Sequence, residues 1–133
     1  MTETLKSHLL NLYALALTDS QFDEREILML YKIAGEKGVP EEELEKLLLN
    51  PVTLKFQIPD TAEEKIAFLY DYAKMIVADG AIDENEMKSL EKFCLRFDFD
   101  TENIPVIVEL LISAANNQVL AEELIQFVHQ QTS

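Results

Sequence analysis

From Phe97 to Ser133 the chain carries neither lysine nor arginine, and along all 133 residues it has one cysteine, three glycines and four prolines. These shortages exclude several classes of protein. A lone Cys94 cannot close an internal disulfide, and its place in an apolar helical pattern predicts a buried thiol in a reducing compartment rather than a nucleophile. So little glycine and proline beside 48% hydrophobic residues is the composition of a folded domain, not a disordered one. The basic deficit is general, with 11 Lys and Arg against 25 Asp and Glu and a formal net charge of −14. That balance repels phosphate backbones and anionic lipid and favours cations or basic partners, so no nucleic acid is expected to bind.

Long apolar runs are also lacking. The longest, Ile66 to Ala78, is interrupted by Asp71 and Lys74, which argues against direct membrane insertion. Met1-Thr2-Glu3 has none of the basic character of a signal peptide, and the run from Leu9 to Leu17 is broken by Asn11, so the expectation is a soluble cytoplasmic protein. There is no glycine-rich phosphate loop and no recognisable Ser, His and Asp constellation. His8 and His129 stand isolated, without Cys or carboxylates in ligand spacing, and read as ordinary surface or core histidines. No catalytic residue, and so no enzyme, is expected.

What the sequence has in quantity is helical periodicity. Leu5, Leu9, Leu12 and Ala16, with Leu10, Tyr13 and Leu17 beside them, predict a first helix over about 3–18. Ile27, Leu30, Tyr31 and Ala34 carry a second to about Lys37, where Gly38 stops it. Pro40 and the triplet Glu41 to Glu43 open a short third helix that ends at Asn50-Pro51. Val52, Leu54, Phe56 and Ile58 alternate like a strand. With no other strand to pair with, they are expected to form an extended linker that lays alternate side chains into the core. Asp60-Thr61 followed by Glu63 and Glu64 starts a fourth, central helix ending at Ala78. A fifth is expected over about 84–97, with Met87, Leu90, Phe93, Cys94 and Phe97 inward, and a sixth over about 101–115. The seventh, about 119–131, presents Leu120, Leu124, Phe127 and Val128. The fold class is therefore all-α, a single-domain bundle of about seven helices.

Two turns carry the same pattern. Asp79, Ile82, Asp83, Glu84 and Glu86 repeat Asp19, Phe22, Asp23, Glu24 and Glu26 at an offset of sixty residues, and Leu30, Lys32 and Glu42 recur as Leu90, Lys92 and Glu102. Two related helix-turn-helix-helix units are expected, about 3–49 and 61–115, joined by a linker over about 50–60. Asp23 and Asp83 read as helix N-caps, Glu26 and Glu86 as the returning residues of capping boxes, and Phe22 and Ile82 as staples onto Ile27 and Met87. Asp19 and Asp79 fall at the C-terminal end of a helix, where the dipole disfavours a carboxylate, so capping does not account for them. A local bond to amides two residues on would, and so would a cation relieving the repulsion among the acids of one turn. Laid on a calcium EF-hand loop at Gly80, the second copy has Met75 and Val77 where the first two ligands belong, and the first copy has Leu15 and Leu17, which excludes a high-affinity site of that kind. A weaker site for a hard divalent ion, calcium, magnesium or manganese, is compatible with Asp19, Asp23, Glu26, Asp79, Asp83 and Glu86.

These residues resemble the TerB-like tellurite-resistance domains, all-helical proteins of two related halves with a helix ending in Asp-Gly-x-Ile/Leu-x-x-x-Glu, here Asp79, Gly80, Ile82 and Glu86. The likeness runs from about Leu9 to Leu111, and the first copy has Ser20 where the motif has glycine. The resemblance implies an acidic surface that binds divalent cations, in a stress or tellurite-response assembly near the cytoplasmic face of the membrane. The expectation is a non-enzymatic interaction module with a basic protein partner. Its competitors are a metal-dependent enzyme using the clustered carboxylates and a purely structural scaffold whose acids are all helix caps.

Overall fold

The apolar periodicity becomes seven helices in a computed structural model of the chain. It describes residues 2–18, 24–50, 57–78, 80, 82 and 84–132, and all of their side chains except those of 18 and 129–132. The helices are α1 (Glu3–Thr18), α2 (Glu24–Glu36), α3 (Glu41–Leu49), α4 (Ala62–Val77), α5 (Glu84–Arg96), α6 (Ile104–Asn116) and α7 (Ala121–Thr132). No strand occurs among the described residues.

Local chemistry sets the helix ends. The Thr61 hydroxyl accepts the Glu64 amide at 3.1 Å to cap α4, and Thr2 accepts the Leu5 amide at 3.1 Å to cap α1. Three helices end in the same left-handed cap, with φ of 80° at Gly38, 66° at Asp98 and 55° at Gln118. After each of these residues an apolar one turns its amide back onto the helix: Val39 to the Ala34 carbonyl (2.9 Å), Phe99 to that of Cys94 (3.2 Å) and Val119 to that of Ala114 (3.0 Å). The caps at Gly38 and Asp98 lie sixty residues apart, as do the starts of α2 and α5, which are both 13 residues long.

Helix α4 is central, packed against α1, α2, α5, α6 and α7, while α3 covers α1 and α2. Its buried residues run all the way round: Ile66, Leu69, Tyr70, Asp71, Tyr72, Ala73, Met75 and Ile76. Leu9, Leu12, Leu30, Ile33, Leu44, Leu90, Cys94, Phe97, Leu111 and Leu124 close around it. Side-chain contacts fix the directions of the helices. Lys37 meets Asp71 at 2.9 Å and Glu36 meets Lys74 at 3.4 Å, whereas Met29 shares a wall with Val77 and Ala78. Numbering falls along α2 as it rises along α4, so these two run antiparallel. Helix α1, joined to α2 through residues 19–23, packs on it and places His8 on the same Asp71 that Lys37 meets. Helices α1 and α4 therefore point their C-terminal ends the same way.

Several expectations are corrected. Helix α6 begins at Ile104 rather than near 101, because residues 101–103 form a turn closed by the Asn103 amide on the Asp100 carbonyl (2.9 Å), and Pro105 sits in the first helical turn where its missing N–H costs nothing. Helix α7 starts at Ala121, which leaves Leu120 outside it and 65% exposed. Phe127 is also exposed, and the buried face is Leu124 with the half-buried Ala121, Ile125 and Val128. Leu17 and Ile58 are exposed rather than inward. The linker residues Val52, Leu54 and Phe56 and the staple residue Phe22 lie outside the described residues.

Candidate functional site

Of the six acids expected to form a site, Asp19, Asp23, Asp79 and Asp83 lie outside the described residues. Glu26 and Glu86 are described, and both are buried, at 1% and 2% exposure. Each is the third residue of its helix, α2 or α5, and each has interaction partners. Gly80, φ 78°, gives its amide to the Val77 carbonyl at 3.1 Å, a left-handed position that glycine occupies without strain. Met75 and Val77, the EF-hand ligand positions, lie inside α4, which agrees with excluding such a loop. Among the described residues, which leave out four of the six candidate acids, no three His, Cys, Asp or Glu side chains are grouped to hold a metal.

A second cluster lies apart from any pattern visible in the sequence. Asp71, buried in the middle of α4, uses Oδ2 to accept from His8 Nε2 at 2.8 Å and from Lys37 Nζ at 2.9 Å, so one carboxylate ties α1, α2 and α4 together. The bond to an acceptor-only carboxylate places the imidazole proton on Nε2. Nδ1, also buried, has no hydrogen-bond partner among the described residues. Burial therefore holds the His8 pKa below its ordinary 6.5, against the pull of Asp71 and with a smaller push from Lys37. The imidazole lies flat on Phe68, ring centroids 3.8 Å apart, and edge-on to Tyr72 at 5.3 Å; Lys37 Nζ stands 5.5 Å over the same Phe68 ring. His8 and Phe68 are themselves sixty residues apart, the spacing of the acidic turns. The cluster joins α1 and α4 to the residue that follows α2. One signal for it is present in the sequence: a lone Asp in the longest apolar stretch must find a partner.

Cys94 and two tyrosines of the core are also held neutral. Burial pushes the Cys94 thiol up to about 12, and it raises the phenols of Tyr70 and Tyr72. The Tyr70 hydroxyl bonds the Ala114 carbonyl at 3.1 Å and that of Val119, pinning the α6–α7 turn onto α4. Beside that turn is an open groove of about 610 Å³ between α2, α4 and the start of α7, with Lys32 and Lys74 in its wall. Comparison with protein-family models, with curated proteins and with solved structures finds no match to this chain.

Proposed function

We propose that this protein is a non-enzymatic helical interaction module of TerB-like type, built from two related halves, whose acidic turns together hold a divalent cation weakly and present an acidic face to a basic protein partner. The burial of Glu26 and Glu86 carries this reading. A capping box satisfies a surface helix end and does not require its returning Glu to be buried, yet here both copies take that carboxylate inside. Calcium, magnesium or manganese, coordinated by oxygen ligands from Asp19, Asp23, Glu26, Asp79, Asp83 and Glu86, would offset the mutual repulsion of the acids in each turn.

The net charge of −14 suits a basic partner, and the stress or tellurite-response context follows from the family resemblance alone. Titration of calcium, magnesium and manganese into labelled protein is the test. Amides of residues 19–26 and 79–86 should move together at millimolar metal, and Asp79→Asn should weaken the response of both turns. Unmoved amides there would leave the acids as caps and remove the metal from the proposal. Capture of partners from the native cell with and without chelator then reports whether the cation organises the binding face.

A further inference from the structure

The groove beside the α6–α7 turn reverses the charge balance of the chain. Overall, acids outnumber bases 25 to 11, but its wall has two lysines, Lys32 and Lys74, and a single acid, Glu36. Lys74 is held in place by Glu36 at 3.4 Å and by the face of Tyr70, with Nζ 4.9 Å from the ring centroid. Lys32 is exposed and makes no ion pair among the described residues. Met29, Val77 and Leu120 add apolar surface to the same wall, and Leu120 is among the most exposed large apolar side chains described. The turn forming one wall is fixed by the Tyr70 hydroxyl, so the shape is built in advance. A volume of about 610 Å³ falls within the range of small-molecule sites. At physiological salt, charges beyond about 8 Å are largely screened, so a ligand in the groove responds to Lys32, Lys74 and Glu36, a local balance of one positive charge, more than to the distant acids.

We propose that this groove binds a small amphiphilic carboxylate, its apolar chain lying on Met29, Val77 and Leu120 and its carboxylate between Lys32 and Lys74. The site is separate from the acidic turns and does not depend on the metal reading, and the two involve different amides.

Sodium decanoate, kept below the concentration at which it self-associates, is the probe, titrated into the full labelled chain at physiological salt. Amides of residues 29–32, 74–78 and 118–121 should shift together. Decanol, with the same chain and no charge, should bind more weakly. Lys32→Gln and Lys74→Gln should each weaken decanoate binding about five-fold, the effect of losing one partly exposed ion pair worth about 1 kcal/mol, while Lys74→Arg retains it. Decanoate that leaves these amides unmoved overturns the proposal, as does equal affinity for decanol or full affinity in the double Lys→Gln variant. Should Lys74→Gln unfold because its contact with Tyr70 is lost, Lys32→Gln and the decanol comparison decide alone.

Discussion

Replacing Asp71 with leucine tests how the centre of the bundle is held. Asp71 accepts from His8 and Lys37 through one oxygen, and its removal strands two donors of unequal cost. The His8 side chain is 1% exposed and cannot turn its Nε2–H to water, so it incurs the penalty of an unsatisfied buried donor, about 1–3 kcal/mol. The Lys37 side chain is 23% exposed, and its ammonium can follow its stem out to solvent, so it incurs less than a trapped charge would. Breaking a buried pair costs about 3–5 kcal/mol when the remaining charge stays inside; the escape route of Lys37 puts Asp71→Leu near the lower end, about 3 kcal/mol.

The double change His8→Leu, Asp71→Leu removes donor and acceptor together, and it should recover most of that loss because apolar replacement of a buried polar pair is often close to neutral. Urea unfolding followed by circular dichroism, with slopes compared to show that the transition stays two-state, measures both variants. A loss below about 1 kcal/mol for the single variant, or a double variant less stable than the single, would refute the idea that a trapped His8 and an escaping Lys37 set the cost.

Three further outcomes follow from the same structure. Burial holds His8 below 6.5, so the unfolded chain takes up the proton first; the stability due to neutral His8 is complete above pH 6.5 and declines as pH falls from there towards the folded value, and thermal melts of His8→Gln should lack that part of the decline. A Cβ at Gly38 meets nothing within 4 Å, so Gly38→Ala should cost only its backbone strain at φ 80°, about 1–2 kcal/mol, and an unchanged melting temperature would show that the cap adapts. Cys94, fully buried with its thiol pushed up to about 12, should stay unmodified by iodoacetamide in native buffer and react once urea unfolds the chain; rapid native labelling would mean the α5 face opens.

Much of the fold is readable from the sequence because helix identity rests on local spacing. The 3.6-residue period, the Thr61 cap and the Gly38 stop are interactions within four or five residues, and the helices they predict are present. Expectations fail where the outcome depends on a neighbour distant in sequence. Leu120 and Phe127 fit a helical stripe, but Leu120 falls before α7 begins, and α7 meets the bundle chiefly along α4 with Phe127 turned outward. The start of α6 differs for a local reason, since Pro105 marks a first helical turn and outweighs the acidic residues at 100–102 as a start signal. The His8, Asp71 and Lys37 cluster joins positions 63 residues apart on two helices with a third brought from α2, and no spacing rule shows it. Glu26 and Glu86 are legible as helix starts, whereas their burial comes from the packing of α2 and α5 as whole helices.

On the proposed duplication, the two halves differ at the central cluster. At the sixty-residue offset His8 matches Phe68, Asn11 matches Asp71 and Lys37 matches Phe97, so one charged set faces a neutral and apolar counterpart. The first pair stack on each other at 3.8 Å, like equivalent residues meeting at a two-fold axis. Two equal halves would pair as well with a second chain as with each other. A carboxylate on α4 that meets His8 of α1 and Lys37 just after α2 would distinguish the correct pairing from α4 packed on another α4, which would bury two facing carboxylates. The hypothesis has a direct readout in the His8→Leu, Asp71→Leu variant, which is expected to keep stability and lose discrimination. Size-exclusion chromatography across a concentration series should then show larger or mixed species beside the wild-type peak. A double variant that elutes as the wild type at every concentration would mean the cluster fastens three helices and specifies nothing about their partners.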